Sequence, residues 1–272
     1  MAGGREYVTG IAVLDDDVYL VRNDATEVEV YSGVGTSPPS RRLAVAGLLF
    51  PKDMTANEKS LRLYVLGYKE DATAGAVVYE VESRNGTTTT TRWPVNDSAT
   101  AIAMTSGDHV LVTCDGKLKE FTTNGTLIRE VRLRRSESDV HLLHAVEFDG
   151  GYVVSHGYAM EERGIMIVDS TGAPVHSFDG QRDSSTLGDN VGSVAHLAVD
   201  DDGCVFATDT FVGRILLLSP TLGVVRVLIS RDDYDAGPLR PIRLCLDGSR
   251  GRIFVANMKT PNNVLIFKLL NV

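Results

Sequence analysis

The sequence predicts an all-β fold, a six-bladed β-propeller built from four-stranded antiparallel blades. Two series of strands and the absence of helical patterning carry that prediction. Six short apolar strands centre on Tyr19, Tyr64, Leu111, Val153, Phe206 and Phe254, at intervals of 42 to 53 residues. The strands that follow them end near Tyr31, Tyr79, Phe121, Val168, Leu218 and Phe267, at intervals of 42 to 50. Two independent series with one period in the forties are the mark of propeller blades. No segment keeps apolar residues at i, i+3, i+4 and i+7 over three turns, so helices are not expected. The repeat runs through residues 1–272 without a linker, which is read as one propeller domain.

The clearest unit is Gly192–Ser230. His196–Val199 is a short apolar strand, and Asp200–Gly203 is a turn. Cys204–Thr208 and Arg214–Leu218 are the second and third strands, the latter apolar enough to be buried on both faces. Val224–Ile229 is the outer strand. The first-to-second turns repeat as Asp15–Asp17, Ser106–Asp108, Asp149–Gly151, Asp200–Gly203 and Asp247–Ser249, residue types that tolerate tight-turn backbone angles. Asn85-Gly86, Asn124-Gly125, Thr171-Gly172 and Leu222-Gly223 mark the third-to-fourth turns. The outer strands are then Arg41–Ala46, Thr87–Val95, Leu127–Leu133, Pro174–Phe178 and Val224–Ile229, with the threonine run Thr87–Thr91 a solvated edge. Blade six ends at Val264–Leu269, and Gly4–Val8 leaves too little chain to travel from rim to axis and also pair. A three-stranded sixth blade, or one with a scrap of outer strand, is expected.

The totals exclude several classes. No long uncharged apolar run is present, so no transmembrane helix is expected. Residues 1–10 lack the apolar core of a signal peptide, and a cytoplasmic location follows as an expectation. Cys114, Cys204 and Cys245 lie far apart, in or beside strands and without metal-ligand spacing. They read as small buried side chains in a reducing compartment. The Asn-x-Ser/Thr matches at Asn85, Asn96 and Asn124 read as turns where glycine follows. The net charge of −9 disfavours DNA, non-specific nucleic-acid binding and anionic membranes.

HLAVDDDGCVFATDTFVGRILLL resembles the NHL repeat through Asp200, Gly203, Asp209, Arg214 and Ile215. The stretches from Gly10, His144 and Pro241 follow the same pattern, with Asn23-Asp24, His156 and Asn257 at the second aspartate position. The chain is similar to the propellers at the C-terminal end of TRIM-type ubiquitin ligases, without their RING or B-box cysteines. The resemblance implies a recognition module that is not itself catalytic, with protein or structured RNA as partner. Related six-bladed propellers include lactonases and amidating lyases, so fold alone does not fix function.

Propellers usually work at the face made by the second-to-third loops and the loops leading into each blade. A protein-binding face would use Tyr68, Tyr158, Phe211 and Tyr234 as aromatic anchors and Arg163, Arg214, Arg240 and Arg243 as polar ones. The competing structural roles are packing of Phe211 on the next blade and pairing of Arg214 with Asp209. An RNA reading needs a basic patch. The loops of that face hold more Asp and Glu than Lys and Arg, and only Arg134, Arg135, Arg240 and Arg243 form a candidate cluster. A metal-dependent hydrolase or lyase needs several ligands at the axis, for which Asp24, His156, Asp209 and Asn257 are the candidates. His144 and His196 begin apolar strands and read as packed core residues. No catalytic motif, metal site or cofactor site is assigned, and a protein partner is the preferred reading.

Overall fold

The computed structural model describes residues 7–33, 38–68, 75–84, 87–133, 141–157, 163–178, 194–230, 239–258 and 264–269. Six antiparallel sheets follow one another along the chain. Blade one is β1 (Val8–Leu14), β2 (Asp17–Arg22), β3 (Glu27–Ser32) and β4 (Arg41–Ala44). Blade two is β5 (Leu49–Asn57), β6 (Arg62–Tyr68), β7 (Ala76–Arg84) and β8 (Thr87–Pro94). Blade three is β9 (Ala99–Met104), β10 (Val110–Cys114), β11 (Lys117–Phe121) and β12 (Leu127–Arg132). Blade four is β13 (Leu142–Phe148), β14 (Gly151–His156), β15 (Gly164–Val168) and β16 (Pro174–Phe178). Blade five is β17 (Val194–Val199), β18 (Val205–Asp209), β19 (Arg214–Leu218) and β20 (Val224–Ile229). Blade six has β21 (Pro241–Asp247), β22 (Arg252–Asn257) and β23 (Val264–Lys268) and, among the described residues, no fourth strand. The three-stranded sixth blade is as the sequence predicts.

Local chemistry explains the elements. The middle strands are runs of Val, Ile, Leu and aromatic residues, and β10, β15 and β19 are buried along their whole length. The outer strands are exposed apart from single apolar residues, as in β4 and β12. The threonine run of β8 alternates between exposed and half-buried positions. Asp15, Asp108 and Asp149 take positive φ in the first-to-second turns, a conformation Asp tolerates better than most residues. The chief misjudged length is β7, which runs past Tyr79 to Arg84 and pairs there with Thr87. The Asn85-Gly86 turn lies outside the described residues. Among the described residues one helical turn occurs, Gly248–Arg250, which is 3-10 and is capped by Asp247.

The core is divided into six clusters, one between each pair of neighbouring blades. The cluster between blades six and one sets Ile242, Phe254 and Ala256 against Val8, Ile11, Val18 and Leu20. Arg250 of blade six also pairs with Asp16 of blade one at 2.7 Å. Among the described residues the ring therefore closes through side chains, with no strand shared by the first and last blades. No helix among the described residues is long and apolar enough to cross a membrane.

Candidate functional site: the propeller axis and the loop face

The innermost strand of every blade breaks register close to its start, at Val8/Gly10, Leu49/Asp53, Ala99/Ala101, Leu142/His144, Val194/His196 and Pro241/Arg243. Such bulges re-aim the next side chain. The residues just after them, Gly10, Asp53, Ala101, His144, His196 and Arg243, occupy six equivalent positions. Four of them carry chemistry and meet at the axis.

Asp53 is fully buried and central. Its Oδ1 accepts from its neighbour's backbone, Met54 N, at 2.9 Å, and its Oδ2 accepts from Ile102 N of blade three at 3.1 Å. His196 Nε2 lies 3.5 Å and His144 Nε2 3.8 Å from Oδ2, and Arg243 Nε lies 3.4 Å from Oδ1. The imidazoles are stacked, with ring centroids 3.7 Å apart. His144 Nδ1 accepts from Leu197 N of blade five. Arg243 reaches across the closure, donating through Nε to Thr9 O of blade one at 2.6 Å and through Nη2 to Lys52 O of blade two at 2.8 Å. The physical cause is the inner edge of each sheet. Backbone N–H groups there have no further strand to pair with, and a buried unpaired N–H is costly. Asp53 and His144 each accept such a donor from the next blade. Gly10 marks the tight part of the ring, since a Cβ there would lie 2.6 Å from Met54 N.

Burial pushes the Asp53 carboxyl up, but Arg243 and then His196 pull it further down, to about 2. Burial drives the His144 imidazole well below its usual range, and the neighbouring His196 and Arg243 add to that against the pull of Asp53. His196 is lowered by burial and by Arg243, again against Asp53. At neutral pH the cluster is one carboxylate, one guanidinium and two neutral rings.

One carboxylate oxygen of Asp53 and one nitrogen each of His144 and His196 lie within 4.8 Å of one another, as in many metal centres. The donors do not fit a cation. A neutral His144 whose Nδ1 accepts a hydrogen bond carries its proton on Nε2, the nitrogen turned towards Asp53. Metal-bound histidine shows the opposite arrangement, donating from its other nitrogen. Asp53 is already held by two N–H groups, with a guanidinium beside it. The group balances its own charge and reads as a knot joining blades one, two, three, four, five and six.

Below the knot a cavity of about 840 Å³ follows the axis. Met54, Ile102, Val146 and Leu244 line its wall, with His144 and His196 at one end and Glu147 and Asp200–Asp202 at the other.

The opposite loop face carries the residues singled out by sequence. Phe211 is 63% exposed, with Val212 at 39%, Met258 at 36% and Phe50 at 56% on the same face. Arg163 of blade four stands over the Phe211 ring of blade five, 6.0 Å from its centroid. Phe50 is held at φ +46° inside the β5 bulge, a strained setting for a bulky residue. Tyr68 is half-buried under Lys52 Nζ, and its carbonyl accepts from Tyr79 Oη. Arg214 is buried against Asp209 at 3.2 Å, so the first residue of β19 is a strand-end clamp rather than an open anchor. Arg240 is half-buried, its backbone N–H bonded to Asn257 Oδ1. Arg243 sits in the axial knot rather than on the loop face, because its bulge turns it inward. Tyr158, Tyr234, Arg134 and Arg135 lie outside the described residues. Of the axial metal candidates, His156, Asp209 and Asn257 end the second strands, one strand outward from the axis. Asp24 lies just beyond the end of the second strand of blade one.

No family model matches the chain, and no curated protein matches it. Many solved structures do. A Kuenenia stuttgartiensis hydrazine synthase chain is 14% identical over 98% of both chains, with a TM-score of 0.67. A catalytically inactive His-to-Ala virginiamycin B lyase from Staphylococcus aureus, solved with quinupristin, is 11% identical over 100% of this chain and 87% of its own, at 0.59. The Pan2 WD40 domain of Neurospora crassa is 10% identical over 96% and 77%, at 0.58. At these identities the likeness is one of fold, and the fold is the six-bladed propeller.

Proposed function

We propose that the protein is a rigid binding platform whose partner is another protein, docked on the loop face of blades four to six. The observation that carries this reading is Phe211, an aromatic ring left largely in solvent yet held under the Arg163 guanidinium. Aromatic and arginine side chains at the centre of an interface supply most of its energy. Val212 and Met258 extend the apolar surface on the same face. The repeat resemblance extends the proposal to the substrate-recognition end of a TRIM-like ubiquitin ligase. RNA is the less favoured partner, because Arg243 is committed to the axis and Arg214 to Asp209. The test is affinity capture with the wild-type chain, followed by direct titration of the recovered protein against Phe211→Ala and Arg163→Ala. Each variant is expected to bind about 30-fold more weakly, the equivalent of roughly 2 kcal/mol, with unchanged thermal stability. Equal binding by wild type and both variants refutes the docking face.

A second reading is favoured by one observation on the axis. His196 Nδ1 is buried without a hydrogen-bond partner while Nε2 faces Asp53. A neutral imidazole held beside a carboxylate is the arrangement of a general base. Both rings border the axial cavity, and one similar fold is a lyase whose inactive form lacks a histidine. In this reading a ligand enters from the acidic mouth and gives up a proton to His196. Incubation with quinupristin, followed by mass spectrometry, tests the reading with one defined substrate. Turnover abolished by His196→Ala supports it, and unchanged chromatographic retention and fragment masses of quinupristin remove it for this substrate, because an elimination that opens a ring leaves the total mass unchanged.

A further inference from the structure

The five four-stranded blades share a device at their rims that blade six does not show among the described residues. In each, the third-strand residue aligned with the axial ring faces one apolar residue of the fourth strand. The pairs are Val28–Leu43, Val78–Trp93, Leu118–Val131, Ile165–Phe178 and Ile215–Ile229. Each fourth-strand member packs into the cluster shared with the next blade. The rest of the fourth strand is largely exposed, including apolar residues such as Leu127, Ile128, Val175, Val224 and Val227. Every third-strand member of these pairs is at most 1% exposed.

Register places Val264 at the same position in blade six, opposite Ala256, which follows the axial Arg243. Val264 has no fourth-strand residue opposite it among the described residues, and it is only half-buried. The whole of β23, Val264-Leu265-Ile266-Phe267-Lys268, is half-buried or exposed, whereas β15 and β19 are buried throughout. Its side chains pack on both neighbours. Val264 and Ile266 lie against the cluster of blades six and one, and Leu265 and Phe267 against that of blades five and six. Among the described residues no strand pairs with its outer backbone edge. An open apolar edge pairs readily with another extended chain.

We propose that the outer edge of β23 is a docking site for an extended segment of a partner protein, which adds the missing fourth strand. The segment runs antiparallel to β23 and sets one large apolar side chain opposite Val264. The five internal fourth strands define that occupant: an extended, largely solvent-facing stretch that packs one Leu, Val, Ile, Phe or Trp inward at a fixed register. The anchor enters the cluster between blades six and one. This edge lies on the rim, away from Phe211 and from the axis, so it is a second binding site, independent of the loop face.

The test uses the whole chain and five fluorescent synthetic peptides that copy the fourth strands, including 40–47 (SRRLAVAG) and 127–133 (LIREVRL). Binding is followed by anisotropy and located by hydrogen exchange. At least one peptide is expected to bind and to slow exchange of the amides of residues 264–268. Replacing its apolar anchor by Asp, at the position of Leu43 or Val131, is expected to weaken binding by about tenfold or more, the loss of one buried aliphatic contact. Phe211→Ala is expected to bind these peptides normally, which separates this site from the loop face. The proposal is overturned if no peptide protects β23 at millimolar concentration, or if the free monomer already protects those amides. Concentration-dependent dimerisation that protects β23 also overturns it, by assigning the edge to a second copy of the chain.

Discussion

Acid between pH 7.5 and 5 is expected to destabilise the protein through two histidines at the axis. His144 and His196 are held neutral by burial, below their ordinary range. The unfolded chain takes up their protons near pH 6.5 and the folded one does not, so stability is present above that value and is lost as pH falls below it. At pH 5 a histidine that stays neutral in the fold costs about 2 kcal/mol. The loss is about 2 kcal/mol if only the more strongly lowered His144 stays neutral and about 4 kcal/mol if both do. Unfolding entropy near 2.1 cal/mol/K per residue makes each kcal/mol worth roughly 2 °C for a chain of 272 residues. Tm should therefore fall by about 4–8 °C. The groups facing the two rings are each other, Asp53 and Arg243. Asp53 stays ionised until about pH 2, so its own contribution is lost only below about pH 4 and leaves this window clear. The assay is thermal unfolding by circular dichroism at half-unit pH steps, for wild type and for His144→Gln/His196→Gln. The double variant should start lower and stay flatter from pH 7 to 5. A flat wild-type profile, or an equal slope in the variant, refutes the assignment of two neutral buried rings.

Three further outcomes follow from the same geometry. Arg243→Met should cost about 3–5 kcal/mol in urea unfolding, because it leaves the Asp53 carboxylate buried without its guanidinium and cuts the bonds to Thr9 and Lys52; a loss below about 1 kcal/mol would refute its role in closure. In Asp53→Asn/Arg243→Met, removal of both charges should restore part of that loss, measured as a coupling energy above about 1 kcal/mol in a double-mutant cycle. Gly125→Ala should destabilise by at least about 1 kcal/mol, since Gly125 has φ +86° and a Cβ there would press into the Trp93 ring at the blade two–three boundary; unchanged Tm would show that the turn opens freely.

Much of the fold was legible because it rests on local signals that repeat. The third and fourth strands of blade five were read at their observed bounds, Arg214–Leu218 and Val224–Ile229. Burial on both faces demands unbroken apolar runs there, and Ser219–Gly223 supplies the turn. The extra length of β7 was not legible, since Glu82, Ser83 and Arg84 look like loop residues until they pair with the threonines of β8. The axial site was missed for a different reason. Its members lie nine to eleven residues before the second-strand midpoints, but bulges of unequal size stand between them and any simple alternation. Asp53 fell in an apparent loop, Phe50-Pro51-Lys52-Asp53, which the structure makes part of β5. From sequence His144 and His196 read as core because apolar residues surround them, and they are indeed buried. A visible signal remained: three blades carry a polar residue in the same phase of an otherwise apolar first strand. The second-strand ends offer His156, Asp209 and Asn257 instead, which are buried one strand out.

The axial knot and the open rim of blade six are two consequences of one topology. A propeller that closes by sharing a strand ties its first and last blades together through backbone hydrogen bonds. Here blade six ends its described sheet at β23, so blades six and one are joined by the packing of Ile242 and Phe254 on Val8 and Ile11, by Arg250–Asp16, and by Arg243. Arg250–Asp16 is a surface pair and adds little. Among the described residues the packed cluster receives no fourth-strand side chain, unlike every other cluster. That shortfall leaves Arg243 as the polar tie spanning the boundary, and it explains why its guanidinium is spent on carbonyls of blades one and two rather than offered at the loop face. A strand added along β23 would bring the missing side chain into the same boundary. The destabilisation of Arg243→Met should then shrink when a fourth-strand peptide is bound, because ligand and arginine stabilise the same seam. Equal destabilisation with and without saturating peptide would show that rim and axis act independently.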